Sequence, residues 1–309
     1  MTEIATAVEE YLSTRRALGF QLNTAALMLR SFAGFLEQQA SAHITAELAV
    51  QWAQKPVTAQ PSQWSRRLGM IRCFARYHRA TDPFTEIPAQ GLLPFPYARK
   101  DPYIYTERDI TALTQAAGAL SCRRGIVPHT YATLIPLLVL TGLRVGEAIR
   151  LDRCDCDLRE GTLLVRQTKF RKSRLVPVHP STAVTLERYC AQTRMIFPRA
   201  SSLLVSARGK RLDPSVVWAT FRLLLGRVGL PPPGDCRRAR PHGLRHTFAV
   251  RTLLGWYRDG VDVERQLPLL ATYLGHTHIT NTYWYLSATP ELLALAAERL
   301  DSPLWRMRS

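Results

Sequence analysis

Thr141-Gly142-Leu143-Arg144-Val145-Gly146-Glu147 breaks a long apolar run at a glycine and sets Arg144 at a bend between two helices. Glu147, three residues on, can orient the guanidinium from behind while leaving its outer edge free. A second stretch, His242-Gly243-Leu244-Arg245, follows Pro241 at an expected helix start. Its spacing of three puts both side chains on one face, near the positive end of a helix dipole, where an anion is favoured. A third, Leu274-Gly275-His276, ends a helix; Gly275 suits a left-handed cap that aims His276 away from its own helix. Tyr285 stands nine residues beyond His276.

Around these stretches the chain reads as mainly α with a small antiparallel β-sheet. Residues 1–82 are helical in pattern: Ile4, Val8 and Leu12 repeat at four, and Met28, Phe32, Phe35 and Leu36 form a stripe. A third helix, starting near Pro61, carries Trp64, Leu68 and Ile71 on one face. Another face carries Arg72, Arg76 and Arg79, which reads equally as a ridge for a DNA backbone or as a solvated charged face. Pro83, Pro88, Pro94, Pro96 and Pro102 then break periodicity. The expected division is a helical domain over 1–86, a stiff linker over 87–105 in which Lys100 tracks phosphates, and a second domain over 106–309. In that domain helices are expected from Glu107, through Leu140, from Val145 to Leu151, and over 181–195, 214–228, 242–258, 264–274, 280–286 and 290–300. Residues 161–166 and 174–178 read as strands, with 154–158 as a third.

The turn between the last two strands is basic, with Lys169, Arg171, Lys172 and Arg174 at or beside its tip. Such a tip can reach into a DNA groove. Lysine suits proton delivery there because its pKa falls in a cationic site, whereas arginine stays protonated. The chain has only five lysines among 41 basic residues, and two of them fall in this turn. Taken singly, every one of these features has a plain reading: a capping histidine, a surface Arg–Glu pair, a solvated turn, an aromatic core patch at Tyr283-Trp284-Tyr285. Their joint order carries the argument. Two arginines, a lysine and two histidines around a tyrosine are what holding a phosphodiester requires while a hydroxyl attacks its phosphorus.

TGLRVGEAIRL (141–151), HGLRHTFA (242–249) and LGH with a tyrosine nine residues on resemble, in this order, the tyrosine recombinase (phage integrase) family. The resemblance implies a two-domain DNA clamp: a helical core-binding domain plus a mixed α/β catalytic domain of the integrase type. It implies Arg144 and Arg245 on the non-bridging phosphate oxygens, Lys169 protonating the leaving 5′-oxygen, and His242 and His276 assisting. Glu147 takes a supporting place and Tyr285 is the nucleophile, forming a 3′-phosphotyrosyl link that conserves bond energy. The turn lacks the glycine common near the family's lysine, so Lys172 stands as a fallback. Double-stranded DNA is the implied partner, with a homotetramer on synapsed sites and related recombinases or accessory proteins beside it. No metal or cofactor is implied. The ending from Tyr285 to Leu292 resembles that of transposon-borne integrases and suggests a mobile element.

Composition agrees with a polyanionic partner: formal net charge is +17 over 309 residues and the sequence pI is near 10.2. Thirty of the 41 basic residues lie in 106–309, so most of the positive field belongs there. The six cysteines show no CxxC pairing and read as reduced thiols. The acidic N-terminus lacks an apolar signal region, and no run is long enough for a membrane span, so a cytoplasmic, nucleoid-associated protein is expected. A type IB topoisomerase-like enzyme shares the chemistry; the leucine stripe Leu292, Leu293, Leu295 and Leu300 argues against it if it docks on a neighbouring protomer. A metal-dependent hydrolase using His242, His246, His276 and His278 lacks the glutamate of HExxH. A DNA-binding accessory protein without catalysis has no need of the full set.

Overall fold

The computed structural model describes residues 3–94, 102–121, 125–166, 173–231, 239–287 and 289–301, with the side chains of 287 and 299–301 left undescribed. The chain divides into two compact units, Met1–Arg99 and Lys100–Ser309. In the first, α1 (Glu3–Ala17), α2 (Asn23–Gln38), α3 (Ala46–Gln54) and α4 (Pro61–His78) enclose a core of Leu12, Leu29, Phe32, Leu36, Trp52, Ile71 and Phe74. Thr45 caps α3 by accepting a hydrogen bond from the Leu48 amide, and Pro61 starts α4 with its φ already set. The Arg67 guanidinium lies 3.7 Å over the Trp52 ring and donates to the Trp52 carbonyl at 3.0 Å.

Arg72 leaves the α4 ridge. Its Nε and Nη2 donate to the carbonyls of Pro88 and Ala89, both at 2.7 Å, because a proline-broken segment leaves carbonyls without regular partners. Arg76 and Arg79 remain exposed. Leu93, inside the segment expected as linker, is buried in this core, and Tyr105 is buried in the second unit beside Leu113 and Leu244.

The second unit starts with α5 (Glu107–Gly118), opened by a reciprocal Thr106–Asp109 capping box, then α6 (Ile126–Thr141) and α7 (Val145–Arg150). Strands β1 (Cys156–Asp157), β2 (Thr162–Val165) and β3 (Arg174–Pro177) form an antiparallel sheet in the order β1-β2-β3, with Val165 opposite Arg174. Helices α8 (Pro180–Ile196), α9 (Pro214–Arg227), α10 (Pro241–Arg258) and α11 (Val263–Leu274) follow. Then come α12 (Thr280–Tyr283), a 3-10 turn over Trp284–Ser287, and α13 (Pro290–Asp301). One core joins Leu113, Ile135, Leu138, Leu163, Val176, Leu224 and Leu244. A second joins Val250, Leu253, Leu267, Leu274, Tyr285 and Leu292, so the predicted nucleophile sits in packed surroundings.

Helix α13 packs on α10 of its own unit, with Leu292 fully buried and Arg258 paired to Glu291. The leucine stripe is therefore partly spent within the chain and does not separate a recombinase from a topoisomerase. Among the described residues no helix is long and apolar enough to cross a membrane.

Candidate active site

The site forms where α6 ends, α10 begins and α11 ends. Gly142 caps α6 at φ +60°, and a Cβ there would stand 2.5 Å from the Phe248 ring, so only glycine lets the bend close against α10. That bend leaves Arg144 as the residue before α7. Glu147, 2% exposed, receives the Arg144 amide on Oε2 at 3.0 Å and the Arg144 Nη1 on Oε1 at 2.7 Å. Arg174 grips the same carboxylate from β3, with Nη2 on Oε2 at 3.0 Å and Nη1 on Oε1 at 3.3 Å. Burial would raise the Glu147 pKa, but the Arg174 bonds, the Arg144 amide and both guanidinium charges prevail and bring it to about 2.

The end of α11 organises three arginines. A helix leaves its last carbonyls without intrahelical partners, at the negative end of its dipole. Here the left-handed Gly275, at φ +68°, returns two amides: Gly275 N bonds Thr272 O and His276 N bonds Ala271 O. The next three carbonyls each take a different guanidinium: Arg174 Nε on Tyr273 O at 2.8 Å, Arg245 Nη2 on Leu274 O at 2.6 Å and Arg144 Nη2 on Gly275 O at 3.2 Å. Arg245 Nη1 also donates to Gly142 O at 2.7 Å, which ties the bend after α6 to α11. Arg245 is 1% exposed, and its buried Nε has no hydrogen-bond partner among the described residues. Burial, then the Arg144 charge, lower its pKa to about 10, so it stays a cation at neutral pH.

His242 lies in the first turn of α10, which Tyr105 steadies through its hydroxyl on Arg240 O at 3.0 Å. Burial, then the charges of Arg245, Arg240 and Arg144, lower its pKa to about 4. His242 is thus a neutral imidazole at pH 7, not a further cation. His276 Nδ1 bonds Thr282 Oγ1 at 2.8 Å, and its ring lies nearly parallel to that of Tyr285, 6.2 Å away. Tyr285 is 2% exposed, and its hydroxyl meets His246 Nδ1 at 3.1 Å.

Arg144, Glu147, His242, Arg245, His276 and Tyr285 all belong to this one region. Arg174, expected as a DNA contact, turns inward instead because Glu147 and the Tyr273 carbonyl need its donors. Lys100, Lys169, Arg171 and Lys172 lie outside the described residues. Sequence reasoning missed Arg174 as a clamp and His246 as the tyrosine's neighbour. The helical spacing of His246, four residues after His242, was the available signal for the second.

Residues 105–291 match the phage integrase family. A putative integrase/recombinase of Sinorhizobium fredii, y4rB, is 46% identical over 97% of this chain and 98% of its own length. A second from that organism, y4rE, is 38% identical over 94% of each. Among solved structures, XerH recombinase in a post-cleavage complex with difH has TM-score 0.68 at 18% identity, covering 96% of this chain and 85% of that one. Tn1549 transposon integrase with a circular-intermediate DNA has TM-score 0.66 at 18% identity, covering 97% and 100%. These structural likenesses concern the fold. The chain belongs to the phage integrase family, the tyrosine recombinases, and is a site-specific recombinase.

Proposed function

We propose that Tyr285 attacks a phosphodiester in double-stranded DNA and forms a 3′-phosphotyrosyl link, which a 5′-hydroxyl later reverses to rejoin strands. The observation that carries this reading is the placement of the Tyr285 hydroxyl in the same buried region as Arg245, beside histidines of two motifs. Arg144 and Arg245 neutralise the non-bridging oxygens as charge builds on phosphorus. Their guanidiniums are already fixed by carbonyls, so little reorganisation accompanies the reaction. His242 and His276 assist through hydrogen bonds and proton movement, Glu147 supports Arg144, and Lys169 delivers a proton to the leaving oxygen. The helical unit, 1–86, adds DNA affinity through Arg76 and Arg79, with Lys100, Arg171 and Lys172 as further contacts.

The chain acts in the cytoplasm, at the nucleoid, as a tetramer on paired sites. Support comes from a solved neighbour, lambda integrase, seen as a tetramer on a Holliday junction. The relatives named integrase/recombinase and the Tn1549 neighbour support service to a mobile element. The test is Tyr285→Phe on a nicked duplex from the chain's own element: it is expected to bind DNA and yield no adduct stable in denaturant. A persistent adduct in that variant removes Tyr285 as nucleophile.

A further inference from the structure

We propose that His246 accepts the phenolic proton of Tyr285 as the phenol attacks phosphorus. The proposal rests on Tyr285 being the nucleophile. A phenol 2% exposed has little access to solvent to receive its proton, so a group inside the site must take it. His246 Nδ1 is 3.1 Å from that oxygen, within the range for direct transfer. His246 is itself 7% exposed and fixed on α10 directly after Arg245. Its ring is braced edge-on by His242, at 4.6 Å between centroids, and by Trp284, at 5.4 Å. A proton on Nε2 leaves the Nδ1 lone pair facing the phenol.

The other histidines are placed for different work. His276 lies face to face with the phenol ring, and its Nδ1 is engaged by Thr282. His242 meets the edge of His246. The Arg245 guanidinium interacts with Tyr285 electrostatically and favours the phenolate as it forms.

The Tyr285 O–H proton passes to His246 Nδ1, the phenolic oxygen bonds phosphorus, and the bond from phosphorus to the 5′-oxygen breaks. That oxygen takes its proton from a separate donor. On rejoining, the 5′-hydroxyl gives its proton back to that donor as it bonds phosphorus, the tyrosyl oxygen leaves, and His246 returns the phenolic proton to it.

The test uses the full chain, a nicked suicide duplex, and the same duplex with sulfur at the 5′-bridging position, which leaves without a proton. His246→Asn keeps a hydrogen-bond acceptor near Nδ1 but does not take a proton. It is expected to bind DNA as the wild type does and to form the Tyr285 adduct about 10²–10⁴-fold more slowly on both duplexes. His246→Ala is the second variant, with added imidazole expected to restore part of its rate. A His246→Asn rate within threefold of wild type, or a loss that sulfur repairs, overturns the proposal. So does a loss of DNA affinity that accounts for the slower rate. An adduct on another residue in the wild type strikes the nucleophile reading instead, so the two failures are distinct.

Discussion

Arg144, Arg174 and Arg245 in the second unit, and Arg76 on α4 and Arg79 at the cap that ends α4 in the first, are one residue type in opposite settings. The first three donate to consecutive carbonyls at the end of α11, and two of them also hold the buried Glu147. Arg76 and Arg79 stand exposed. A buried guanidinium needs a partner for its donors, and fixed carbonyls supply partners without cancelling its charge. Under the proposed function such cations are pre-set for a transition state. Exposed arginines release counterions and supply affinity with little geometric demand. In the proposed function this contrast separates chemistry from binding within one chain.

Arg245→Lys is the largest challenge to that contrast. Lysine lacks the fork that spans Gly142 O and Leu274 O, and one lost fixed donor typically costs about 10²–10³ in rate. Single-turnover cleavage is expected to fall by that factor while DNA affinity changes little. A matching loss of affinity erases the distinction. Gly275→Ala comes next: its φ of +68° is strained for alanine, and the new Cβ would lie 2.9 Å from Arg174 Nη1. Thermal unfolding should register about 1–2 kcal/mol of destabilisation. Displaced arginines should slow cleavage about tenfold or more.

Arg76→Ala and Arg79→Ala should do the reverse. Affinity falls alike on unrelated sequences, the slope of log affinity against log salt shrinks by about 1 per arginine, and cleavage at saturating protein is unchanged. A changed rate at saturation would place α4 in the chemistry. The mildest effect is on acid stability. His242 has a folded pKa of about 4, below its unfolded value, so its contribution is complete above about pH 6.5 and fades as pH falls toward 4. Glu147, held at about 2, contributes fully above its unfolded value and loses that contribution as pH falls toward 2. Denaturant melts across this range should show both windows, and His242→Gln should flatten the upper one.

Most helices were legible because their starts carry local chemistry: Pro61, Pro214, Pro241 and Pro290 each begin one, and Gly142 and Gly275 each end one. Helix α3 was missed, and the helix at Pro61 is the fourth instead of the third, since Ala46–Gln54 has only nine residues to show a period. The site motifs were legible as residue types at short spacings. Their partners were not. Arg174 looked like its neighbours in a basic turn, and only the three-dimensional meeting of β3, α7 and α11 turns it onto Glu147 and Tyr273 O. The neutrality of His242 is likewise a product of burial among arginines distant in sequence. The leucines of α13 showed an apolar face without showing what covers it.

The most direct measurement is to trap the wild-type chain on a nicked duplex from its element, digest the adduct and map the modified residue and the DNA end. The expected adduct is Tyr285 joined to a 3′-phosphate. Attachment through the exposed Tyr283, or to a 5′-phosphate, would contradict it.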